Sequence, residues 1–126
     1  MTPDRTAPQD RVAGVAPAAV ISILGLCLHN VADLDDQYPW SIEILGPAAF
    51  LAACLLLWRL RPRLGGALLL AWALLNLLGG AVLSVLPLPF LPFVPEQSLR
   101  HYSFHLLYGL TQVPLLLAAR AQLKAR

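Results

Sequence analysis

The chain has 126 residues, of which 58% are hydrophobic and 13% charged, against about 25% charged in ordinary soluble domains. With a mean hydropathy of +0.67 and long apolar stretches broken only briefly by polar residues, the chain has too little polar surface for a water-soluble fold. Its net charge of +2 is small and its basic residues are scattered, so no nucleic-acid partner is expected.

Met1–Arg11 is polar and contains Pro3 and Pro8; it reads as a short disordered tail. The first apolar segment, Val12–Ala32, matches the roughly 20 helical residues that a bilayer core requires. It lacks a small-residue cleavage site, because Asn30 sits where one would need a small side chain, and so it is read as a span and not a signal peptide. The second segment, about Trp40–Trp58, carries an aromatic residue at each end, as interfacial rings do. Pro47 falls in its first turns, where the missing N–H is tolerated.

The third segment, Leu64–Leu86, is the longest and most apolar, and Pro87 ends it. Pro87–Ser98 then carries four prolines among leucines and phenylalanines, which forbid both a regular helix and free solvation; an interfacial loop on the membrane satisfies both constraints. The fourth segment, Leu99–Ala119, begins polar and ends in LLLAA, with Pro114 expected to kink it. Arg120–Arg126 reads as a basic tail. The fold class expected is therefore all-α, an integral membrane antiparallel four-helix bundle forming a single domain over residues 1–126.

Orientation follows from the basic residues. Arg5, Arg11, Arg59, Arg61, Arg63, Arg120, Lys124 and Arg126 fall on one side and only Arg100 on the other, which places both termini in the cytoplasm and the chain in the cell membrane. Alanine, leucine, proline and arginine dominate and Lys124 is the sole lysine, the residue usage of a GC-rich, bacterial genome. Cys27 and Cys54 fall in opposite halves of the bilayer and read as unbridged packing residues, since bridged Cα atoms lie within about 7 Å.

At 100° per residue, Gly14, Ala18, Ser22, Gly25, His29 and Asp33 share one face of helix one. Helix three has Asn76, Gly80 and Ser84 at four-residue steps, and helix two offers Ala49 and Ala53. Small residues let helix backbones approach in lipid, so these faces are expected at helix contacts. On helix four, His101, His105, Tyr108 and Gln112 line up within about 60° of arc. Hydrocarbon cannot accept that stripe, because each unsatisfied polar group there costs roughly 2 kcal/mol or more.

Both polar faces reach the outer side, with His29 and His105 at similar depth and Glu43 opening helix two nearby. The expectation is an outward-facing polar cleft between helices one and four. His29, Asp33, His101, His105, Tyr108 and Gln112 are its candidate ligand-binding residues: the first and fourth at its centre, Asp33 orienting His29, and Tyr108 with Gln112 as its floor.

A metal ion is one candidate occupant, since His101 and His105 at i, i+4 share a helix face and His29 with Asp33 repeats that spacing. Haem held between His29 and His105 is another, which would make the chain a subunit of a redox complex. A pocket for an apolar small molecule or lipid is a third. Alternatively these residues are interfacial groups bonded to each other and to headgroups. Phe90 and Phe93 in the proline-rich loop suit docking to a larger membrane complex or a homo-oligomer, and the Arg59, Arg61, Arg63 triplet suits anionic lipid headgroups.

No phosphate loop, nucleophile elbow, HExxH or intramembrane carboxylate pair is present, so an accessory or small-ligand-binding protein is expected and not an enzyme. In general shape, with an acid near the start of helix two, the chain is similar to small four-span bacterial membrane proteins such as the DoxX-like families. No residue role follows from that likeness.

Overall fold

A computed structural model describes residues 7–125, with side chains from residue 14 onward. Among the described residues the chain is entirely helical, with no strand. The helices are α1 (Ala7–Asp33), α2 (Ile42–Leu60), α3 (Pro62–Leu74) and α4 (Leu99–Lys124). Without a break, α3 continues into a π-helical stretch, Leu75–Val82, and a 3-10 turn, Leu83–Val85.

Two helices outrun the apolar stretches that announce them. Ala7–Arg11, expected in a disordered tail, belongs to α1, with Pro8 in the first turn where its missing N–H breaks no helical bond. Residues 1–6 of that tail lie outside the described residues, as does Arg126. At the other end α4 runs on through the expected basic tail to Lys124, because Arg, Ala, Gln, Leu and Lys are all strong helix formers and no breaker intervenes.

The α2–α3 connection is a single residue. Arg61 closes α2 by donating its N–H to the Leu57 carbonyl at 2.6 Å and at once precedes Pro62, the first residue of α3. This tight hairpin needs Gly65, where an added Cβ would strike the Trp58 backbone. Ala49 and Ala53, expected at a helix contact, are exposed. Instead α2 buries Ile44, Leu51, Cys54 and Trp58: the small residue that allows close approach lies on α3, and bulky α2 residues fill the space around it.

In contrast, α1 packs chiefly on α4. Partner numbers run oppositely, Ser22 with Gln112, His29 with His105 and Asp33 with His101. Gly25 makes the approach possible, since a Cβ there would run into the Thr111 side chain. The apolar core, which includes Val15, Ala18, Leu51, Trp58, Leu69, Ala73, Leu115 and Ala119, sits toward the end where α2 meets α3. Both cysteines are free, Cys27 half-buried and Cys54 buried.

Three helices are long and apolar enough to cross a membrane: Gly14–Asp33 of α1, Ile42–Leu60, and Pro62–Val85. α4, with 26 residues, has the length, but its polar stripe dilutes its apolar character.

Candidate functional site

The last turns of α1 and the first turns of α4 meet at the end opposite the apolar core. Ser98 starts α4 in extended conformation and its hydroxyl accepts the His101 backbone N–H at 3.2 Å. That cap holds His101 and His105 one turn apart on the face turned to α1. Arg100 donates to the Ala32 carbonyl, one of the acceptors that a helix end leaves open.

Four of the six sequence-derived candidates come together here. His29, His101 and His105 are buried at 8%, 6% and 5% exposure, and the Asp33 side chain is fully enclosed. The His101 Nδ1 pairs with Asp33 Oδ2. The His29 Nε2 lies 3.8 Å from that same oxygen and 3.1 Å from the Nε2 of His105. One ligand-capable atom from each of His29, Asp33 and His105 lies within 4.8 Å of the others.

Outer partners orient these rings. His105 Nδ1 lies 3.1 Å from the Ala81 carbonyl, which only accepts, so Nδ1 donates to it and Nε2 is turned toward His29. That carbonyl belongs to the stretch where π and 3-10 turns replace the regular helical ladder. There the Gly80 carbonyl likewise accepts from the Ser84 hydroxyl, at 2.5 Å. His29 Nδ1 faces Asn30 Oδ1 at 3.0 Å. Asn30, not singled out from sequence, thus joins Asp33 beside His29, on the opposite ring nitrogen; a polar neighbour one residue along the same helix was its only signal. Asp33 Oδ1 and His101 Nε2 are buried without a hydrogen-bond partner.

These side chains form the floor of a cavity of about 490 Å³, whose far wall is the Phe93–Glu96 segment of the proline-rich loop. Asp35 and Glu96 also line it, and no lysine or arginine does. The loop expected to lie on the membrane thus supplies part of the cavity wall. Glu43 is exposed on the first turn of α2, away from this cavity.

Tyr108 and Gln112 continue the α4 stripe but have other partners. The Tyr108 ring stacks on His29 with centroids 5.2 Å apart, while its hydroxyl donates to Asn76 Oδ1. Asn76 in turn donates to the Trp72 carbonyl at 2.8 Å. Gln112 is wholly buried and tied to Ser22, whose hydroxyl also accepts the Trp72 indole N–H at 3.0 Å. Comparison with protein-family models, with curated proteins and with solved structures finds no match to this chain.

Proposed function

We propose that this chain is a four-span integral protein of the bacterial cell membrane, an antiparallel four-helix bundle with cytoplasmic tails, which binds a small ligand in an outward-facing cleft without catalysing a reaction. The outer surface supports lipid as its solvent. Leu24, Leu56, Leu75 and Leu78 are each about half or more exposed, a burden that water would penalise and hydrocarbon does not.

α4 fits the same reading once its faces are separated. His101, His105, Tyr108 and Gln112 are buried, whereas Leu106, Leu110 and Leu117 are exposed at 66%, 59% and 57%. A helix that hides its polar groups from lipid in this way can span despite modest hydropathy. The positive-inside count then sets the cavity on the outer side.

The observation that carries the ligand-binding reading is the burial of three imidazoles and one carboxylate on the floor of a cavity. Burying such groups is costly, and a structural role alone is met more simply by the Gln112–Ser22 kind of pair. A cysteine-free chain given Ser84→Cys tests the reading in intact cells, because Ser84 lines the cavity. It is expected to react with a membrane-impermeant maleimide, while Ser22→Cys, fully buried, is not. Reaction of Arg61→Cys from outside, or silence at both Ser84→Cys and the exposed Val94→Cys, would overturn it.

A second reading has its own observation. Phe90 and Val94 stand 74% and 93% exposed on the outer loop, which suits an accessory role beside a larger membrane complex. Crosslinking from Val94→Cys to a second protein in native membranes is the corresponding test.

A further inference from the structure

Resting on the ligand-binding reading above, we infer that the occupant of the cleft is a divalent transition-metal ion of the zinc class, held by His29 Nε2, His105 Nε2 and an Asp33 carboxylate oxygen. The first ground is a proton count. The Ala81 carbonyl calls for a hydrogen on His105 Nδ1, which leaves its Nε2 free as an acceptor or metal ligand, whereas Asn30 can present amide oxygen or nitrogen to His29 Nδ1. The two Nε2 atoms stand 3.1 Å apart, joined by a hydrogen bond from His29 in one tautomer and offering two lone pairs in the other. With the Asn30 oxygen toward His29 both lone pairs are free, and a shared cation takes them together.

The second ground is distance. Two nitrogens on one tetrahedral ion with bonds of about 2.0–2.1 Å stand about 3.4 Å apart, so the observed 3.1 Å needs only a small adjustment. Axial haem ligands sit on opposite faces of the iron, about 4 Å apart if bonds are similar in length, with a porphyrin between them. The near-perpendicular His29 and His105 rings, with centroids 4.5 Å apart, leave no such slot.

The third ground is the surroundings. A hydrogen bond from the distal ring nitrogen to a carbonyl is the habitual support of a metal-bound histidine, and His105 has it in Ala81. His101 holds Asp33 Oδ2 while Asp33 Oδ1 is buried without a partner, an acceptor in want of a donor or a cation. Asp35 and Glu96 on the cavity wall, whose lining includes no lysine or arginine, favour a cation over an anion. Imidazole with carboxylate selects zinc and its neighbours in the periodic row over calcium or magnesium, which prefer all-oxygen sites.

The test uses the full chain in detergent, stripped with a chelator, dialysed against Zn²⁺ and read by elemental mass spectrometry, with Co²⁺ as a spectroscopic substitute. One zinc per chain is expected, together with the strong visible bands of four-coordinate Co²⁺. His29→Ala and His105→Ala are expected to abolish uptake. Asp33→Asn, which keeps the size of the side chain and decides the matter if either alanine variant loses its helical circular dichroism, is expected to weaken it by about tenfold or more.

Uptake unchanged in all three variants would overturn the assignment, as would a wild-type chain that holds no metal. In the latter case outward reactivity of Ser84→Cys would spare the cleft and assign His29 and His105 to a neutral hydrogen-bond relay, with the Asn30 amide turned over. Silence of both Ser84→Cys and Val94→Cys as well would remove cleft and ion together.

Discussion

Ser22 and Gln112 exchange two hydrogen bonds between α1 and α4: the Ser22 hydroxyl donates to Gln112 Oε1 at 2.5 Å, and Gln112 Nε2 donates to the Ser22 carbonyl at 3.1 Å. Both residues are wholly buried, and the exchange ties the helices together below the histidines. Interhelical bonds in membranes average about 0.6 kcal/mol and reach about 1.7. Gln112→Ala is accordingly expected to lower stability by about 1–2 kcal/mol in a detergent unfolding titration. It should leave zinc uptake intact, and loss of zinc without loss of stability would show that Gln112 belongs to the site after all.

Tyr108 joins the two polar systems through different atoms, its ring on His29 and its hydroxyl on Asn76. Tyr108→Phe separates them. The ring stack survives, Asn76 Oδ1 loses its donor, and a cost of about 1 kcal/mol is expected. Thermal unfolding beside a zinc titration checks this: a lower melting temperature with unchanged affinity is the expected pair of results, and an affinity loss would place the hydroxyl in the site.

The hairpin of α2 and α3 gives a prediction of opposite signs at two glycines. A Cβ at Gly65 would collide with the Trp58 backbone, whereas one at Gly46 meets nothing within 4 Å. Backbone cannot yield as a side-chain tip can, so Gly65→Ala is expected to cost about 1–3 kcal/mol. Gly46→Ala is expected to be neutral or to gain up to about 1 kcal/mol from helix propensity. Equal effects at the two positions in thermal unfolding would reject this account of how the helices touch.

The polar faces of α1 and α4 were legible because they obey the helical period, and counting depth from the ends of each segment sufficed to set His29 level with His105. Periodicity assigns a residue to a face but does not say how far each helix is rotated about its axis. For that reason Asp33, expected on His29, is found 3.8 Å from that ring's Nε2 and bonded to His101 as well, with Asn30 at the other nitrogen of His29. Gln112 was expected in the floor of the cleft, although Ser22, on the same face of α1, offered it a partner at its own depth. Ala49 and Ala53 illustrate a further ambiguity: small residues suit a contact but do not demand one, and on α2 the bulkier Leu51, Cys54 and Trp58 fill it. The cavity wall at Phe93–Glu96 is tertiary in origin, since prolines forbid a helix without saying where the chain goes.

The π-helical stretch had no sequence signal at all, and it governs the last prediction. A π turn accommodates one residue more than an α-helix would, so removing one residue between Leu75 and Val82 should restore the regular ladder. Because the π turn had already absorbed the extra residue, the segment beyond the deletion would keep its angle about the axis, and only the carbonyls within the stretch would be redirected. Ala81 and Ser84 lie beyond Leu78, which is itself 53% exposed. Deleting Leu78 would draw the Ala81 carbonyl into the regular ladder and away from His105 Nδ1, free that ring to take either tautomer, and leave Ser84 on the cavity wall. The expected outcome is undiminished helical circular dichroism, a zinc affinity weaker by about 10–100-fold, and unchanged maleimide labelling at Ser84→Cys. Leu78→Ala, which alters the side chain but not the register, should change none of the three. If the deletion variant folds and binds zinc as tightly as the parent, the Ala81 carbonyl does not set the His105 tautomer, and the π turn is only a way of fitting α3 against α4.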